Sequence, residues 1–477
     1  MKKQLTQKGF LMVYVLIFAS VFMVILTSFV TFIITQSRLI EQRMQFEQSG
    51  QIAEAGLDYY RWYLAHYPNS TTTAITGVYS DPELGPIGEY QLTLASTTFC
   101  GTIMSRQITS RGYTYKNPNI ARTLSARYSR PNVAEYSFII NSNVWAGDDR
   151  IINGPYHSNG GVRMDGTNNS SVTSGQTSWS CTPSFGCTPT TTQNGVFTTT
   201  GNANAGLFDY PSAPVSFGGI TVDLADMETK ARSNGIFLDK LPAGNFGYQI
   251  RFNSSSTVTV NRVTSVYTYW GYTTENGWQT EQNVVNATSS VGTYAISNSC
   301  PLVVAQDKVW LQGTIPQKIT LAASFATSTT INPSIILANN ITYTSATTSG
   351  LLAIAEQDVL IGVNVPDNMV LNGIFIAQNG RYGRNFYCNN TSYCAASQLL
   401  PNAAPNLRTY TIRNSETHNG TVVSNGRVGT QWTNSGNTVS GFRDRYTSYD
   451  RNLVESPPPF IPETSDVYEY SDWRDSN

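Results

Sequence analysis

The residues in this chain best suited to covalent or metal chemistry are its six cysteines and three histidines. Cys181 and Cys187 enclose Thr-Pro-Ser-Phe-Gly, and Cys388 and Cys394 enclose Asn-Asn-Thr-Ser-Tyr. A zinc site calls for C-x₂₋₄-C pairs with further Cys or His close by. These pairs are wider, so each reads as a small disulfide-closed loop in polar sequence. Cys100 and Cys300 remain, and spacing does not decide whether they pair. His66 falls at the end of a helical pattern, while His157 and His418 fall in segments that read as polar turns, so all three are expected in structural roles. Asp148-Asp149 offers adjacent carboxylates at a turn, a cation site or a solvated corner. Trp145, Trp270, Trp278, Trp310 and Trp432 offer sugar-stacking faces or core packing. The sequence has no H-E-x-x-H, no G-x-S-x-G, no G-x-x-x-x-G-K and no twelve-residue calcium loop. The expectation is a non-enzyme with no catalytic residue, no cofactor and no metal.

The elements that carry these residues follow from composition and periodicity. Lys plus Arg is 30 and Asp plus Glu is 31 in 477 residues. That balance lacks the basic field nucleic-acid binding needs, so no nucleic-acid partner is expected. Charged residues are only 13%, with 27 Tyr and 20 Phe among many Ser, Thr, Asn and Gly. Such a chain suits β structure with polar turns, often outside the cell, and has ample apolar surface to bury.

Residues 1–9 carry Lys2, Lys3 and Lys8, and Phe10 to Ile34 is apolar except for Ser20, Thr27, Ser28 and Thr31. About 25 residues at roughly 1.5 Å each reach about 37 Å, enough to span a hydrocarbon core of about 30 Å. The lysines place the N-terminus in the cytoplasm and the rest outside, which makes this a single-pass cytoplasmic-membrane protein. A cleaved secretory signal would have a shorter apolar run and a small-x-small site. From Gln36 to Tyr67 there is no proline, and Leu39, Phe46, Ala53, Leu57, Tyr60, Leu64 and Tyr67 form one stripe. Pro68 stops the pattern. One helix is predicted over 10–67, its transmembrane part 10–34.

Lys8-Gly9 before Phe10, the apolar helix with an amphipathic second half, and Ala53-Glu54-Ala55-Gly56 together resemble the type IV pilin and pseudopilin superfamily. The last stretch is similar to the large minor pilins of the PilX kind. The resemblance implies that a prepilin peptidase cuts after Gly9 and methylates Phe10, and that other pilins are partners through the N-terminal helix. It also implies a departure. Major pilins carry Glu at the fifth mature position, where this chain has Tyr14, which argues for a minor or tip-located subunit. Gly154-Pro-Tyr-His-Ser-Asn-Gly160 and Ile374-Phe-Ile-Ala-Gln-Asn-Gly-Arg381 resemble phrases of large PilX-like surface proteins with a β body.

Beyond the helix, Glu89 to Ser96, Ile103 to Tyr115 and Ile120 to Ser129 read as strands, with Tyr90, Leu92 and Leu94 alternating. They predict a pilin-like antiparallel β-meander over 68–133, packed on the helix. From 134 to 420 the texture is short strands between Asn, Asp and Gly. Ala146 to Gly154, Ala305 to Gly313 and Ala355 to Gly362 echo one another as turn, apolar strand, glycine. Such repetition predicts a β-solenoid-like body, with a Greek-key sandwich as the alternative. Within it Thr173 to Thr200 reads as a long loop, and Asp223 to Gly235 as a short capped helix. Residues 421–477, with Ser456-Pro-Pro-Pro459, read as an extended C-terminal segment.

The fold class expected is therefore mainly β with one long N-terminal α-helix. Three functions compete. The first is a minor pilin-like protein of the cell surface, acting in pilus assembly or adhesion, with the bilayer, other pilins, the prepilin peptidase and surface glycans as its partners. The second is a static membrane-anchored surface protein, favoured if Gly9-Phe10 stays uncut. The third is a tethered polysaccharide-degrading enzyme, which would need clustered acids or a basic residue with cation ligands on adjacent rungs.

Overall fold

The computed structural model describes residues 10–67, 72–218, 223–328, 330–465 and 467–476. It is mainly β with one long N-terminal helix. Two compact units emerge, one of Met1–Thr97, Ser105–Tyr128 and Tyr470–Asn477, the other of Thr98–Met104 and Ser129–Glu469.

In the first unit, helix α1 runs unbroken from Phe10–His66. Strands β1 (Ala74–Asp81), β2 (Gly85–Phe99), β3 (Thr102–Thr114) and β4 (Ala121–Ser129) form a sheet in that order, and the C-terminal strand Glu469–Asp475 completes it beside β4. Pairing is antiparallel for β1 with β2 and for β3 with β4. Ile52, Ala53, Leu57, Tyr60 and Leu64 of the helix are buried against Tyr90, Leu92, Ile108, Leu124, Ala126 and Tyr128 of the sheet. The predicted stripe is corrected at both ends. Leu39 and Phe46 are 52% and 36% exposed and Tyr67 is 55% exposed, because the close contact runs along Ser49, Gly50, Ala53 and Gly56 instead. A Cβ on Gly112 of β3 would lie 2.3 Å from the Ser49 carbonyl oxygen, so helix and strand approach backbone to backbone there.

The second unit is built from stacked coils, and its strands pair in parallel. One ladder takes Ile236–Leu238, Leu302–Ala305, Lys318–Ala323, Gly350–Ala355, the second half of Asn368–Ala377 and the second half of Ile412–Ser424. It continues through Phe138–Ile140, Tyr156–Ser158, Val172–Ser174 and Phe208–Asp209. The chain therefore enters this stack in its middle. Phe208–Asp209 and Ile236–Leu238 stand at opposite ends of the ladder, although few residues separate them in sequence. The connection, which includes helix α2 (Leu224–Asn234), lays Val215, Phe217, Leu224, Met227 and Ala231 over the ladder's outer row of Val304, Ile354, Ile376 and Ile139. The inner row, Val303, Leu321, Ala353, Phe375 and Phe138, forms the main core. Both faces are buried, which is why Gly350–Ala355 is apolar throughout. Glu228 of α2 is buried but well bonded, accepting from Gln306, Ser324 and the Ala326 amide at 2.7–3.0 Å.

A second parallel ladder joins Gly247–Asn253, Val309–Ile315, Ile335–Tyr343, Val359–Ile361 and Tyr382–Gly383. The long antiparallel hairpin Thr257–Thr273 with Gly277–Ala295 lays Val263, Val266 and Val285 over its outer Trp310, Ile336 and Leu360. A third ladder joins the first halves of Asn368–Ala377 and Ile412–Ser424 to Asn437–Ser448, Arg150–Asn153 and Thr167–Asn168. Here Asn372 bonds Asn419 at 2.9 Å and Asn153 bonds Ser448 at 3.2 Å. The bend between first and third ladders falls at Gly373 and Gly420, which are register partners with φ of 145° and 136°. The echoing stretches are corners of these coils. The three ladders pair in parallel, with antiparallel pairing at the long hairpin and at Gln431–Asn434 with Asn437–Ser448.

Two expectations are corrected. Residues 173–200 contain short strands, Ser178–Cys181 paired with Thr191–Asn194 and Val196–Phe197 on a neighbouring coil, rather than a bare loop. Residues 421–477 are not simply an extended segment, since Asn437–Ser448 is a coil strand and Glu469–Asp475 a strand of the first unit's sheet.

Some inward positions of the third ladder are polar, among them His418, Glu416 and Arg445. Burial lowers the His418 pKa to about 4 from 6.5, against the pull of Glu416. Its Nε2 donates to the Gly373 carbonyl at 3.1 Å, and its Nδ1 has no hydrogen-bond partner among the described residues. A depressed histidine is neutral in the native state and takes up its proton on unfolding, so stability is full above about pH 6.5 and falls as pH drops toward 4. The loss by pH 5 should be about 2 kcal/mol. Hydrogen exchange of residues 412–424 should show it in the native protein and show most of it removed in His418→Gln; an unchanged pH response in that variant would contradict the assignment.

Candidate functional site

The candidate site is the surface of α1. Its first described residue is Phe10; Gly9, the leader 1–9 and Pro68 lie outside the described residues. Every residue from Phe10 to Met44 is exposed, with Leu16 and Phe18 at 65% and 73%. This stretch is long and apolar enough to cross a membrane. Its serine and threonine hydroxyls from Ser20 to Thr35 bond within the helix. Thr27, Ser28 and Thr31 donate to the carbonyls of Met23, Val24 and Thr27 at 2.7–2.8 Å, and Ser20 to Ile17 at 2.8 Å. No hydroxyl of this set needs water, which suits a hydrocarbon environment. Tyr14 is exposed and faces Phe10, with ring centroids 6.4 Å apart.

Charge and hydrogen bonding resume where the apolar run ends. Glu41 meets Lys116 at 2.6 Å, and this partner lowers the Glu41 pKa. Gln45 accepts from the Thr114 hydroxyl. Arg122 of β4 bonds Asp475 at 2.7 Å and lies over Phe46 at 5.0 Å. Tyr470 donates to the Leu57 carbonyl and packs on Tyr128, so the C-terminal strand seals the same helix face. An open groove beside the helix is lined by Leu39, Ile40, Phe46 and Ile120. The helix thus has a bare apolar half and a half that serves as core.

The other residues singled out in the sequence fall elsewhere. Cys181 bonds Cys187, Cys388 bonds Cys394, and Cys100 bonds Cys300, all within the second unit. The third pairing, between residues 200 apart, had no local signal. His157 and His418 are not in turns but buried on strands, where His157 bonds Thr173 and Asn159 at 2.7 and 2.9 Å. His66 is exposed, its Nδ1 2.8 Å from the Trp62 carbonyl. Asp149 binds Arg445 through two 2.5 Å hydrogen bonds, so its carboxylate is committed to an ion pair. Trp310 is core, Trp145 donates to Asp165 at 2.9 Å, and Trp278 and Trp432 join an aromatic cluster with Tyr272 and Phe386. Among the described residues no group of three or more His, Cys, Asp or Glu is placed to hold a metal.

No family model matches the chain, and no curated protein matches it. Among solved structures it is similar to the competence-associated pilin ComZ from Thermus thermophilus, at 11% identity and a TM-score of 0.31, over 90% of this chain and 97% of that one. The likeness is too loose to place any residue.

The division of α1 has an energetic consequence. Ile52→Ala or Leu57→Ala should destabilise the first unit by about 2–5 kcal/mol, because each empties a fully packed site. Leu16→Ala should leave it within about 0.5 kcal/mol. Hydrogen exchange of residues 85–129 in detergent separates the cases, and equal protection in all three variants would mean that the helix does not support the sheet.

Proposed function

We propose that this chain is a non-enzymatic, membrane-anchored, pilin-like protein whose helix packs among other pilin helices and whose β body is displayed outside the cell for contact or adhesion. One observation carries the reading. A single unbroken helix is bare over Phe10–Met44, apolar over its first part to Ile34, and then becomes the core of an antiparallel sheet. A simple anchor has no need for rigid continuity from lipid into a folded unit, whereas a subunit that stacks on neighbours through its helix does. Packing in lipid comes from close contact of side chains, since lipid tails are as apolar as leucine. The groove at Leu39, Ile40 and Phe46 extends the available surface past the membrane.

Two features support a minor or tip position. Tyr14 stands where a bulk subunit would carry the carboxylate that pairs with its neighbour's amine. The second unit also spans most of the chain, Ser129–Glu469, and that bulk on every copy would obstruct dense helical stacking. The resemblance of residues 8–10 to a prepilin junction extends the proposal to cleavage after Gly9 and methylation of Phe10.

Mass spectrometry of protein from membranes with an active prepilin peptidase should find a methylated N-terminal Phe10. Recovery of the intact Met1 peptide would remove the processing claim and favour the static anchor.

A further inference from the structure

At the tip of the long hairpin, Thr274 and Glu275 meet Arg381, Arg427, Gly429 and Trp432 around a cleft of about 50 Å³. All belong to the second unit. The two guanidiniums come from different coils and are separately held. Arg427 donates to the Ser184 carbonyl at 2.7 Å and lies 4.2 Å from the centroid of the Phe185 ring. Both partners sit inside the Cys181–Cys187 loop, so that small disulfide loop fixes Arg427. Arg381 donates to Asn385, and its backbone amide donates to Asp358 at 2.8 Å.

Among the described residues neither guanidinium makes an ion pair, although eleven such pairs occur elsewhere. Burial lowers the Arg427 pKa; the Glu275 charge opposes this, and the Arg381 charge adds a smaller lowering. Two half-buried guanidiniums that form no ion pair among the described residues, with Glu281 and Asp358 within charge reach of Arg381, still offer N–H groups to an anion, and arginine binds planar carboxylates in a two-pronged fashion. The remaining walls narrow the choice. Trp432 supplies an apolar ring, with Tyr272 edge-on at 5.8 Å. Glu275 is exposed and can only accept hydrogen bonds when ionised. A bare inorganic anion would be repelled by Glu275 and would gain nothing from the indole. A ligand with one carboxylate, several hydroxyls and an apolar ring face satisfies all three. One water needs about 10–15 Å³ by this measure, so the cleft holds a carboxylate and the atoms next to it while the rest of the ligand lies outside.

We propose that this cleft binds an acidic sugar, a uronate-type residue of a surface or extracellular polysaccharide, with its carboxylate on Arg381 and Arg427, its ring against Trp432 and its hydroxyls toward Glu275. The inference deepens the adhesive role and rests on the body being displayed outside the cell.

The test is calorimetric titration of the full chain in detergent with trigalacturonate, its methyl ester and inorganic phosphate. Trigalacturonate should bind at least ten-fold more tightly than the neutral ester. Arg381→Gln combined with Arg427→Gln should remove that preference. Glu275→Gln sits on an exposed turn, so it tests the cleft without threatening the fold; it should weaken binding of the neutral methyl ester through lost hydroxyl contacts and widen the preference for the acid, whose carboxylate it no longer repels. Equal binding of acid and ester, or an unaltered preference in the folded double variant, would overturn the proposal. Phosphate binding as tightly as trigalacturonate would overturn the sugar assignment. These readings are independent of the N-terminal mass, so a failure here and a failure of pilin-like processing are told apart.

Discussion

Beyond Met44 the long helix carries apolar side chains that would face water unless something covered them. In this chain the cover is a five-stranded sheet, and the first unit follows from that need. The contact is close because small residues, Ser49, Gly50, Ala53 and Gly56, line the helix face, and Gly112 meets it from β3. Larger groups then fill the ends of the interface, with Ile52 and Leu57 on one side and Tyr60, Tyr128 and Tyr470 on the other. Where the cover stops, at Gln45, the helix is bare toward its N-terminus, and its serine and threonine hydroxyls from Ser20 to Thr35 fold back on its own carbonyls. The proposed function depends on the uncovered half of the helix.

In the second unit the same demand is met twice on a larger scale. A parallel strand with apolar residues on both faces needs two partners, and the coil interior supplies only one. The connection through α2 covers the first ladder and the long hairpin covers the second. The third ladder has one outer row of Asn372, Asn419, Ser448 and Asn153 and another in which Tyr446 and Ile151 are exposed. The hairpin that shields the second ladder also carries Glu275 to the arginine pair, so a packing element shapes the cleft.

Much of this was legible in the sequence where the signal was local. The apolar run, the proline-free stripe after it and the stop at Pro68 located α1 almost to the residue, and Asp223 and Gly235 located α2, with Asp223 accepting from the Asp226 amide. Strand-like runs between turn residues revealed β2, β3 and β4, with alternation marking the first of them. It did not reveal β1, whose residues alternate only between exposed and half-buried, or Glu469–Asp475, which is charged and lies far away in the chain. Heptad spacing favoured Leu39 and Phe46 because large side chains dominate such patterns, whereas the sheet selected small ones. His157 and His418 resembled turn residues among Asn and Gly, yet the coil places them inside. The order of the ladder, with 138–209 stacked beyond 412–448, and the meeting of Arg381, Arg427 and Glu275 are products of topology and left no trace at any fixed spacing.

The central claim is that α1 is a single rod with a lipid-facing half and a protein-facing half. Spin labels placed singly along residues 12–64 in bilayers would read it directly, through accessibility to oxygen and to a water-soluble relaxant. The account predicts high oxygen and low aqueous accessibility over 12–34, a crossover near Arg38, and protection with a period of about 3.6 residues from 45 to 64. Aqueous accessibility over 12–34, or no periodic protection beyond residue 45, would contradict it.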